Sequence, residues 1–208
     1  MRNLVIFGDT AFAERLLSYI QQEGVDKVIA FTQEEAYLSR SEIQGLKVLP
    51  FEHLNELMAG QEFEILLGIG YTKMNDLREK LYSLCKSYGY KVATFISKNA
   101  MCYSDRIGEG TIVLPGSLIG PGCTIGVSNF FAASCAVSHD SEIGDFNFFS
   151  TNVVMGGHAN VKSHCFIGLH STVKNDIEIA DYTFVGSAAN VCKSTNWGGY
   201  TSVIPLVG

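Results

Sequence analysis

The feature that most constrains this chain is a six-residue period that runs through its second half. Every sixth position from Ile107 to Val191 is apolar, without exception over fifteen positions. The next position is often glycine, as at Gly108, Gly120 and Gly126. A six-residue period is typical of a parallel β-helix, in which each hexad forms one flat face and three hexads form one coil of about 18 residues. The period therefore predicts a prism of about five coils with its apolar residues inside.

The same period accounts for three of the six cysteines. They stand two positions before an apolar position, and we expect their small side chains to point into the prism: Cys123, Cys135 and Cys165. No two cysteines form a CxxC pair, and a chain of this length does not need a disulfide framework. We therefore predict reduced thiols and a cytoplasmic protein.

The first half of the chain has a different pattern. Short apolar runs alternate with stretches in which apolar residues recur at helical spacing. The pattern predicts strands at 3–8, 27–32, 64–70 and 91–97, and helices at 11–24 and from about 73 to 86. Strands that alternate with helices indicate βαβ units and a parallel sheet. We predict a small Rossmann-like α/β domain over residues 1–98, followed by the β-helix over residues 99–208.

Composition excludes several classes of function. The net charge is −6 and no basic stripe is present, which argues against nucleic acid as a partner. No apolar run approaches the length of a membrane span, and the first residues do not have the pattern of a signal peptide. A small anionic ligand is compatible with this charge, because backbone N–H groups and helix N-termini can hold it.

One histidine stands beside an acid within the hexads, in "AVSHDSEIGD" (136–145). Residues one coil apart lie above one another at roughly the 4.8 Å spacing of neighbouring strands. One coil beyond His139 is Gly157, and one coil beyond Asp140 is His158. The spacing thus predicts a cluster of these four residues on one edge of the prism. Imidazole is a common general base, a carboxylate fixes its tautomer, and a glycine N–H can stabilise an oxyanion. A solvated corner histidine is the alternative.

The hexads with "HDSEIGD" inside them follow a βα domain with the turn "FGDTAFAE". This combination resembles the PglD/NeuD-like sugar acyltransferases, a hexapeptide-repeat family, over essentially the whole chain. The resemblance implies a left-handed β-helix that acylates a sugar or a nucleotide-linked amino sugar from acyl-CoA. It also implies a homotrimer, with acetyl-CoA as co-substrate lying along the β-helix between neighbouring subunits.

The same resemblance implies roles for the cluster. His139 corresponds to the general base and Asp140 to its supporting acid. Gly157 corresponds to the glycine whose N–H faces the thioester, and we expect His158 beside it to contact the acyl-CoA. Two positions depart from the family pattern, since Phe148 and Ala132 stand where several members carry a second histidine or an asparagine. The segment "STNWGGYTSVIPLVG" (194–208) also lacks the usual "VGNPAK" ending.

The turn after the first strand is a candidate nucleotide site. We expect Gly8, Asp9 and Thr10 to meet a phosphate or ribose at a helix N-terminus. The resemblance adds the end of the second strand, Phe31 and Thr32. The stretch "GIGYTK" (68–73) adds Tyr71 or Lys73, although a solvated helix face is the alternative for the lysine. One glycine where a dinucleotide fingerprint has three argues against NAD, and an ordinary βα turn remains the other interpretation.

The remaining histidines do not suggest a metal centre. His158, His164 and His170 are six residues apart, which puts them on three successive corners, pointing in different directions. A metal site between subunits, as in the β-helical carbonic anhydrases, is the alternative, but their H-x4-H ligand spacing is absent here. We therefore expect no metal requirement, and we expect His164 and His170 to be surface or interface residues.

The resemblance, with the histidine–acid cluster beside it, implies an acetyl-CoA-dependent N-acetyltransferase that acts on a nucleotide-linked amino sugar for bacterial surface polysaccharide or glycan biosynthesis. O-acetylation of a sugar such as sialic acid uses the same machinery, and a non-catalytic nucleotide-binding trimeric scaffold is the alternative from another class. Aromatic residues at exposed corners, such as Phe130, Phe146 and Phe148, favour a homotrimer, because a lone prism would leave them in water.

Overall fold

The computed structural model describes residues 1–196, which form two compact units. The first unit comprises Met1–Gly70 and Leu81–Ala93, and the second comprises Tyr71–Lys80 and the chain from Thr94 onward. The sequence placed the boundary at residue 98/99. The second unit begins earlier because the strand Phe95–Ile96 pairs with Ile112–Val113 of the β-helix. Within the described residues, no helix has the length and apolar character needed to cross a membrane.

A five-stranded sheet forms the centre of the first unit. In chain order its strands are β1 (Asn3–Phe7), β2 (Lys27–Gln33), β3 (Glu42–Ile43), β4 (Leu46–Pro50) and β5 (Glu64–Leu67). Their order across the sheet is β3-β4-β2-β1-β5, and all neighbours are parallel except β3 and β4. The helices of the chain are α1 (Ala11–Glu23), α2 (Leu54–Leu57) and α3 (Asp76–Ser87), with short 3₁₀ turns at Glu35–Tyr37 and Phe51–His53.

The spacing of apolar residues and a terminal glycine explain why helix α1 forms where it does. It buries Leu16, Leu17 and Ile20, which recur at helical spacing. It ends at Gly24, which adopts the left-handed conformation with φ 65° and donates its N–H to the Ile20 carbonyl. The strand at 3–8 and the helix at 11–24 are thereby confirmed within a residue.

Four elements of the first half differ from prediction. Helix α3 begins at Asp76 rather than near residue 73, because the three preceding residues, 73–75, all have positive φ. The predicted strand 91–97 is wrong, since Val92 makes only an isolated bridge to Ile65 and Phe95–Ile96 belongs to the β-helix. Strands β3 and β4 were not predicted.

The second unit is a parallel β-helix with three faces. The aromatic face consists of the strands Phe95–Ile96, Ile112–Val113, Phe130–Phe131, Phe148–Phe149, Phe166–Ile167 and Phe184–Val185. The aliphatic face consists of Met101–Cys102, Leu118–Ile119, Ala136–Val137, Val154–Met155, Thr172–Val173 and Asn190–Val191. The polar face consists of Thr124–Ile125, Glu142–Ile143, Asn160–Val161 and Glu178–Ile179.

The interior of the prism is the predicted one. The periodic apolar residues are buried throughout, except Ile107, which is half-buried at the first coil. Phe131 and Phe149 stack inside with ring centroids 4.5 Å apart. The three predicted inward cysteines are also buried, and desolvation raises the pKa of Cys135 and of Cys165 to about 12. These thiols therefore remain protonated and unreactive.

The aromatic face is covered by the chain itself. Phe130 is 3% exposed and Phe148 is 6% exposed. The Tyr71 ring lies 5.2 Å from that of Phe148, and the Arg78 guanidinium lies 5.9 Å from the Phe130 ring. Phe146, at a neighbouring corner, is buried as well. The expectation of exposed aromatic corners is therefore wrong, because the segment Tyr71–Lys80 packs on a face whose cover the hexad period does not reveal.

Candidate active site

The four clustered residues lie at the corner between the aliphatic and polar faces. The strand Ala136–Val137 leads into this corner on one coil, and Val154–Met155 leads into it on the next. Asp140 and His158 occupy equivalent left-handed positions of the repeated turn, with φ of 53° and 55°. The His158 N–H donates to the His139 carbonyl over 3.0 Å, which holds the two turns in register.

His139 and Asp140 form a hydrogen-bonded pair. The Nδ1 atom of His139 lies 2.9 Å from Oδ2 of Asp140, and both side chains are about half exposed. The pKa of Asp140 is below its ordinary value, chiefly because of the hydrogen bond from His139, with the charges of His158 and Arg106 acting in the same direction. A carboxylate at this position accepts Nδ1–H, and Nε2 of the same ring is then free to accept a proton.

Gly157 provides the space that the His139 ring occupies. A Cβ atom on Gly157 would lie 2.6 Å from Nε2 and from Cε1 of His139, which is closer than real Cβ contacts. The N–H of Gly157 donates no hydrogen bond to any of residues 1–196. The free nitrogen of the imidazole and an available backbone donor therefore lie side by side, as acyl transfer requires of a base and an oxyanion donor.

His158 faces the same carboxylate from the next coil. Its Nε2 lies 4.0 Å from Oδ2 of Asp140, and its ring is perpendicular to that of His139 at a centroid distance of 5.2 Å. One ligand atom from each of His139, Asp140 and His158 lies within 4.8 Å of the others. A set with the geometry of metal ligands therefore exists at this corner, although the spacing of the histidines along the sequence did not reveal it.

A groove runs along the aliphatic face beside this cluster. It has a volume of about 420 Å³ and is lined by Ser138 and Gly156, the neighbours of His139 and Gly157, and by Lys174 further along. Ala136 and Val154 form its apolar floor. Ser138, Gly156 and Lys174 stand one coil apart along the corner, so apolar side chains of the face and one cationic side chain line the same groove, which suits a ligand with both apolar and anionic parts.

The turn after β1 connects a strand to a helix, and some of its hydrogen-bond donors are already bonded within the first unit. Gly8 has φ 126°, and its N–H donates to the Thr32 carbonyl over 2.8 Å. Phe31 and Thr32 are fully buried, and the Thr32 hydroxyl donates to the Leu49 carbonyl. Thr10 is the N-cap of α1 and makes no side-chain capping bond.

Asp9 is held by the loop that follows β2. Its carboxylate accepts hydrogen bonds from the Ser39 hydroxyl (2.6 Å), the Ser39 N–H (3.2 Å) and the Gln33 amide (3.3 Å). Burial acts to raise the pKa of Asp9, but these hydrogen bonds outweigh it and hold the pKa below its ordinary value. An ionised Asp9 disfavours a phosphate directly beside it and suits a ligand hydroxyl.

Another cavity of about 640 Å³ lies at the opposite edge of the same sheet. Arg2 and Glu64, at the start of β1 and β5, and Tyr90 line it. Ligands of parallel α/β sheets bind at the carboxyl ends of the strands, where Gly8 and Asp9 lie. We therefore keep the turn after β1 as the candidate ligand site of the first unit.

Tyr71 and Lys73 belong to the second unit, whereas Gly8, Asp9 and Thr10 belong to the first. The centroid of the Tyr71 ring lies 4.3 Å from that of Phe166, and Tyr71 is about half exposed. Lys73 has a positive φ of 50° and is exposed.

Phe148 and Ala132 are both buried, so neither is available to a ligand in this chain. Of the C-terminal segment, residues 197–208 lie outside the described residues.

His164 is not a surface residue. It is 7% exposed, and its ring stacks on that of Tyr182 at 4.6 Å. Its Nδ1 lies 3.5 Å from the Asp76 carboxylate and its Nε2 lies 3.4 Å from that of Glu79. The prediction failed because these acids come from the segment that covers the prism. His170, at the next corner, is exposed.

Two residues near the cluster were missed by the sequence analysis. Gly122 lies one coil before Asp140, and a Cβ there would clash with the Asp140 carboxylate. The stacking rule that found Gly157 could have found it. Arg106 donates to the Gly122 carbonyl and lowers the pKa of Asp140 through its charge. No fixed spacing signals Arg106, because it lies outside the strands, in the irregular segment just before Ile107.

A small, mostly parallel α/β sheet and a left-handed β-helix with a six-residue period define a two-unit hexapeptide-repeat fold. Three solved structures share it. The acetyltransferase domain of PglB from Neisseria gonorrhoeae FA1090 has a TM-score of 0.80 and 17% identity, over 95% of each chain. PerB from Caulobacter crescentus, in complex with CoA and GDP-perosamine, has a TM-score of 0.82 and 23% identity, over 93% of this chain and 90% of that one. WeeI from Acinetobacter baumannii AYE has a TM-score of 0.78 and 23% identity, over 93% of each chain.

Likeness at this level of identity establishes the fold. The predicted fold class, a small Rossmann-like domain followed by a left-handed β-helix, is thereby confirmed. No protein-family model matches the chain.

Proposed function

We propose that this chain is an acetyl-CoA-dependent N-acetyltransferase that acts on a nucleotide-linked amino sugar in bacterial surface polysaccharide or glycan biosynthesis. The observation that carries the proposal is the His139–Asp140 pair, 2.9 Å apart, whose free Nε2 faces Gly157. The pair stands on a fold shared with PerB, whose structure is in complex with CoA and GDP-perosamine.

In this proposal His139 is the general base. The amine of the acceptor attacks the thioester carbonyl carbon, and Nε2 of His139 takes a proton from the amine as the new C–N bond forms. The Gly157 N–H donates to the oxyanion of the tetrahedral intermediate. The intermediate collapses, the C–S bond breaks, and the imidazolium returns the proton to the departing CoA thiolate. Asp140 accepts Nδ1–H throughout, which fixes the tautomer and stabilises the imidazolium.

Acetyl-CoA fits the groove on the aliphatic face. Ala136 and Val154 offer apolar contacts to the pantetheine arm, and the Lys174 ammonium, which lines the same groove, suits an anionic group of the ligand. His158, beside Gly157, is the residue we assign to the thioester end of the ligand. No step of the proposed reaction uses a metal ion.

A homotrimer is part of the proposal, with acetyl-CoA between neighbouring subunits. The support is the aliphatic face, where Met101 is 52% exposed and Val154 is 43% exposed. A face that presents apolar side chains along a flat row of strands suits contact with another copy of the chain.

The nucleotide is assigned to the first unit, at the carboxyl ends of β1 and β2. Support comes from Asp9, whose ionised carboxylate suits a ribose hydroxyl, and from the N-terminus of α1 after Thr10. The Gly8 N–H and the Thr32 hydroxyl donate within the unit, and the Asp9 carboxylate already accepts three hydrogen bonds but has acceptor capacity for one more, so the ligand contacts proposed there are a further hydrogen bond to Asp9 and contact with the exposed Thr10. Tyr71 and Lys73 are kept as further candidates.

Thiol release from acetyl-CoA tests the proposal. Acceptors are a panel of nucleotide-linked amino sugars, the matching free amino sugars, and sialic acid, with the acetylated product located by mass spectrometry. We expect release with a nucleotide-linked amine, and release slowed by about 10²–10⁴-fold with His139→Ala. Release only with hydroxyl acceptors supports O-acetylation instead. Nucleotide binding without release by any acceptor supports a scaffold.

A further inference from the structure

We infer that His139, Asp140 and His158 bind a divalent transition metal ion such as zinc, and that the bound ion inhibits the enzyme. Two imidazoles and one carboxylate offer ligand atoms that all lie within 4.8 Å of one another. The inhibitory half of this inference rests on the proposed function, whereas the binding half does not.

The repeat fixes the backbone of all three ligands. Asp140 and His158 stand at equivalent positions of stacked turns, and the His158 N–H donates to the His139 carbonyl over 3.0 Å. At metal–ligand bonds of about 2.1 Å, tetrahedral ligand atoms are about 3.4 Å apart. The observed distances to Asp140 Oδ2, 2.9 Å from His139 and 4.0 Å from His158, lie on either side of that value. Small rotations of side chains that are more than half exposed are enough to close the site.

The donor set selects the class of ion. Imidazole nitrogen with one carboxylate oxygen suits zinc, cobalt, nickel and copper, with open positions left for water. Magnesium and calcium prefer oxygen ligands and are not expected to bind here.

Metal binding is incompatible with the proposed base. An ion bound to Asp140 and to Nδ1 of His139 takes the place of the hydrogen bond that orients the imidazole. A coordinated imidazole is also a weaker proton acceptor than a free one, because the cation withdraws electron density. The site is therefore inhibitory, and the enzyme is expected to work without metal.

His158 is the ligand that distinguishes this site from an isolated histidine–acid pair. Its substitution by Asn keeps a residue that tolerates the left-handed conformation and removes the imidazole. His170 provides the matched control, because it is an exposed histidine at the same left-handed position of another turn, with φ 55°. His170→Asn makes the same chemical change away from the cluster.

The experiment uses the full chain, without an affinity tag and freed of metal, titrated with Zn²⁺ in a calorimeter and with Co²⁺ in an absorption spectrometer. We expect one ion per chain in the wild type and in His170→Asn. In His158→Asn we expect affinity to fall by more than the roughly 10–100-fold that loss of an outer-shell partner costs. Mg²⁺ should give no heat. Thermal unfolding of each variant checks that it is folded.

Acetyl transfer measured in parallel tests the inhibitory half. We expect Zn²⁺ to inhibit the wild type, a chelator to restore activity, and Mg²⁺ to have no effect. Absence of Zn²⁺ binding, or equal binding by His158→Asn and wild type, overturns the site. If Zn²⁺ binds at the site and activity is undiminished, the inhibitory half is wrong. It is also wrong if a chelator abolishes activity and zinc restores it. If no acceptor is acetylated, the proposed function fails while calorimetry still decides the site.

Discussion

The Nδ1 atom of His139 lies 2.9 Å from Oδ2 of Asp140, and the two residues are consecutive in the chain. Neighbouring side chains of an ordinary strand point to opposite faces, and these two meet because the turn places Asp140 in the left-handed conformation at φ 53°. The repeated corner of the β-helix thus builds the histidine–acid pair from local backbone geometry. Gly157 and Gly122, on the coils to either side, leave the ring and the carboxylate the space they need.

His139→Ala is expected to lower kcat by about 10²–10⁴-fold, the usual effect of losing a general base. The KM for acetyl-CoA should change little, because the base acts on the acceptor. Steady-state kinetics measure both, and His170→Asn serves as the control for loss of a corner histidine. A folded His139→Ala protein with wild-type kcat would contradict the assignment and make His158 the next candidate base.

Asp140→Asn should cost less activity than His139→Ala. The imidazole remains, but it loses the carboxylate that fixes its tautomer and stabilises its protonated form. Asn tolerates the left-handed position, so the fold should persist. The test is the kcat of both variants under the same conditions, with thermal unfolding to show that each variant is folded. A loss equal to that of His139→Ala would mean that Asp140 does more than orient the base.

Gly157→Ala should reduce kcat without unfolding the protein. The new Cβ would lie 2.6 Å from the His139 ring, which must move, and a displacement of about 1 Å can cost about 10²-fold in rate. Kinetics and thermal unfolding distinguish the two effects. Gly70→Ala is the matched control, since a Cβ there meets nothing within 4 Å. Equal kcat for the two alanine variants would show that the space above Gly157 is not needed.

The sequence predicted the interior of the β-helix and the neighbours of His139, and the same physical rule explains both. Strand spacing stacks residues one coil apart, so the positions of Gly157 and His158 follow from counting. The rule describes only residues inside the repeat. The cover supplied by Tyr71 and Arg78, and the burial of His164 between Tyr182 and two acids, come from a segment with no hexad period.

Short or irregular elements were the other failures, for a related reason. Three consecutive left-handed residues precede Asp76, a conformation that costs non-glycine residues roughly 1–2 kcal/mol each and that no local pattern favours. The stretch 91–97 has the composition of a strand, but its residues pair with different partners on either side of Ala93. Tertiary pairing rather than propensity decided its structure.

Asp9→Asn is expected to destabilise the protein at neutral pH and not at low pH. The pKa of Asp9 is below its ordinary value of 3.8, so its ionised form contributes stability above that pH. This contribution is lost as the pH falls through the depressed pKa. Thermal unfolding of wild type and variant from neutral to acidic pH measures the gap, which should close on acidification. Glu62→Gln, an exposed acid in the same unit, should show no gap. A gap that persists at low pH would mean that Asp9 stabilises the turn without its charge.

The wild type is expected to be a trimer, held through the aliphatic face of the prism. The aromatic face cannot supply the contact, because the chain's own segment covers Phe130 and Phe148. Val154, 43% exposed on the aliphatic face, is the residue to change. Val154→Glu places a charge in the proposed contact and should shift the mass toward the monomer, whereas Glu142→Lys on the polar face should leave it unchanged. Light scattering at micromolar concentration measures the mass. A monomeric wild type would contradict the trimer, and it would leave the groove beside Ala136 and Val154 open to solvent on the side where a neighbouring subunit is expected to enclose acetyl-CoA.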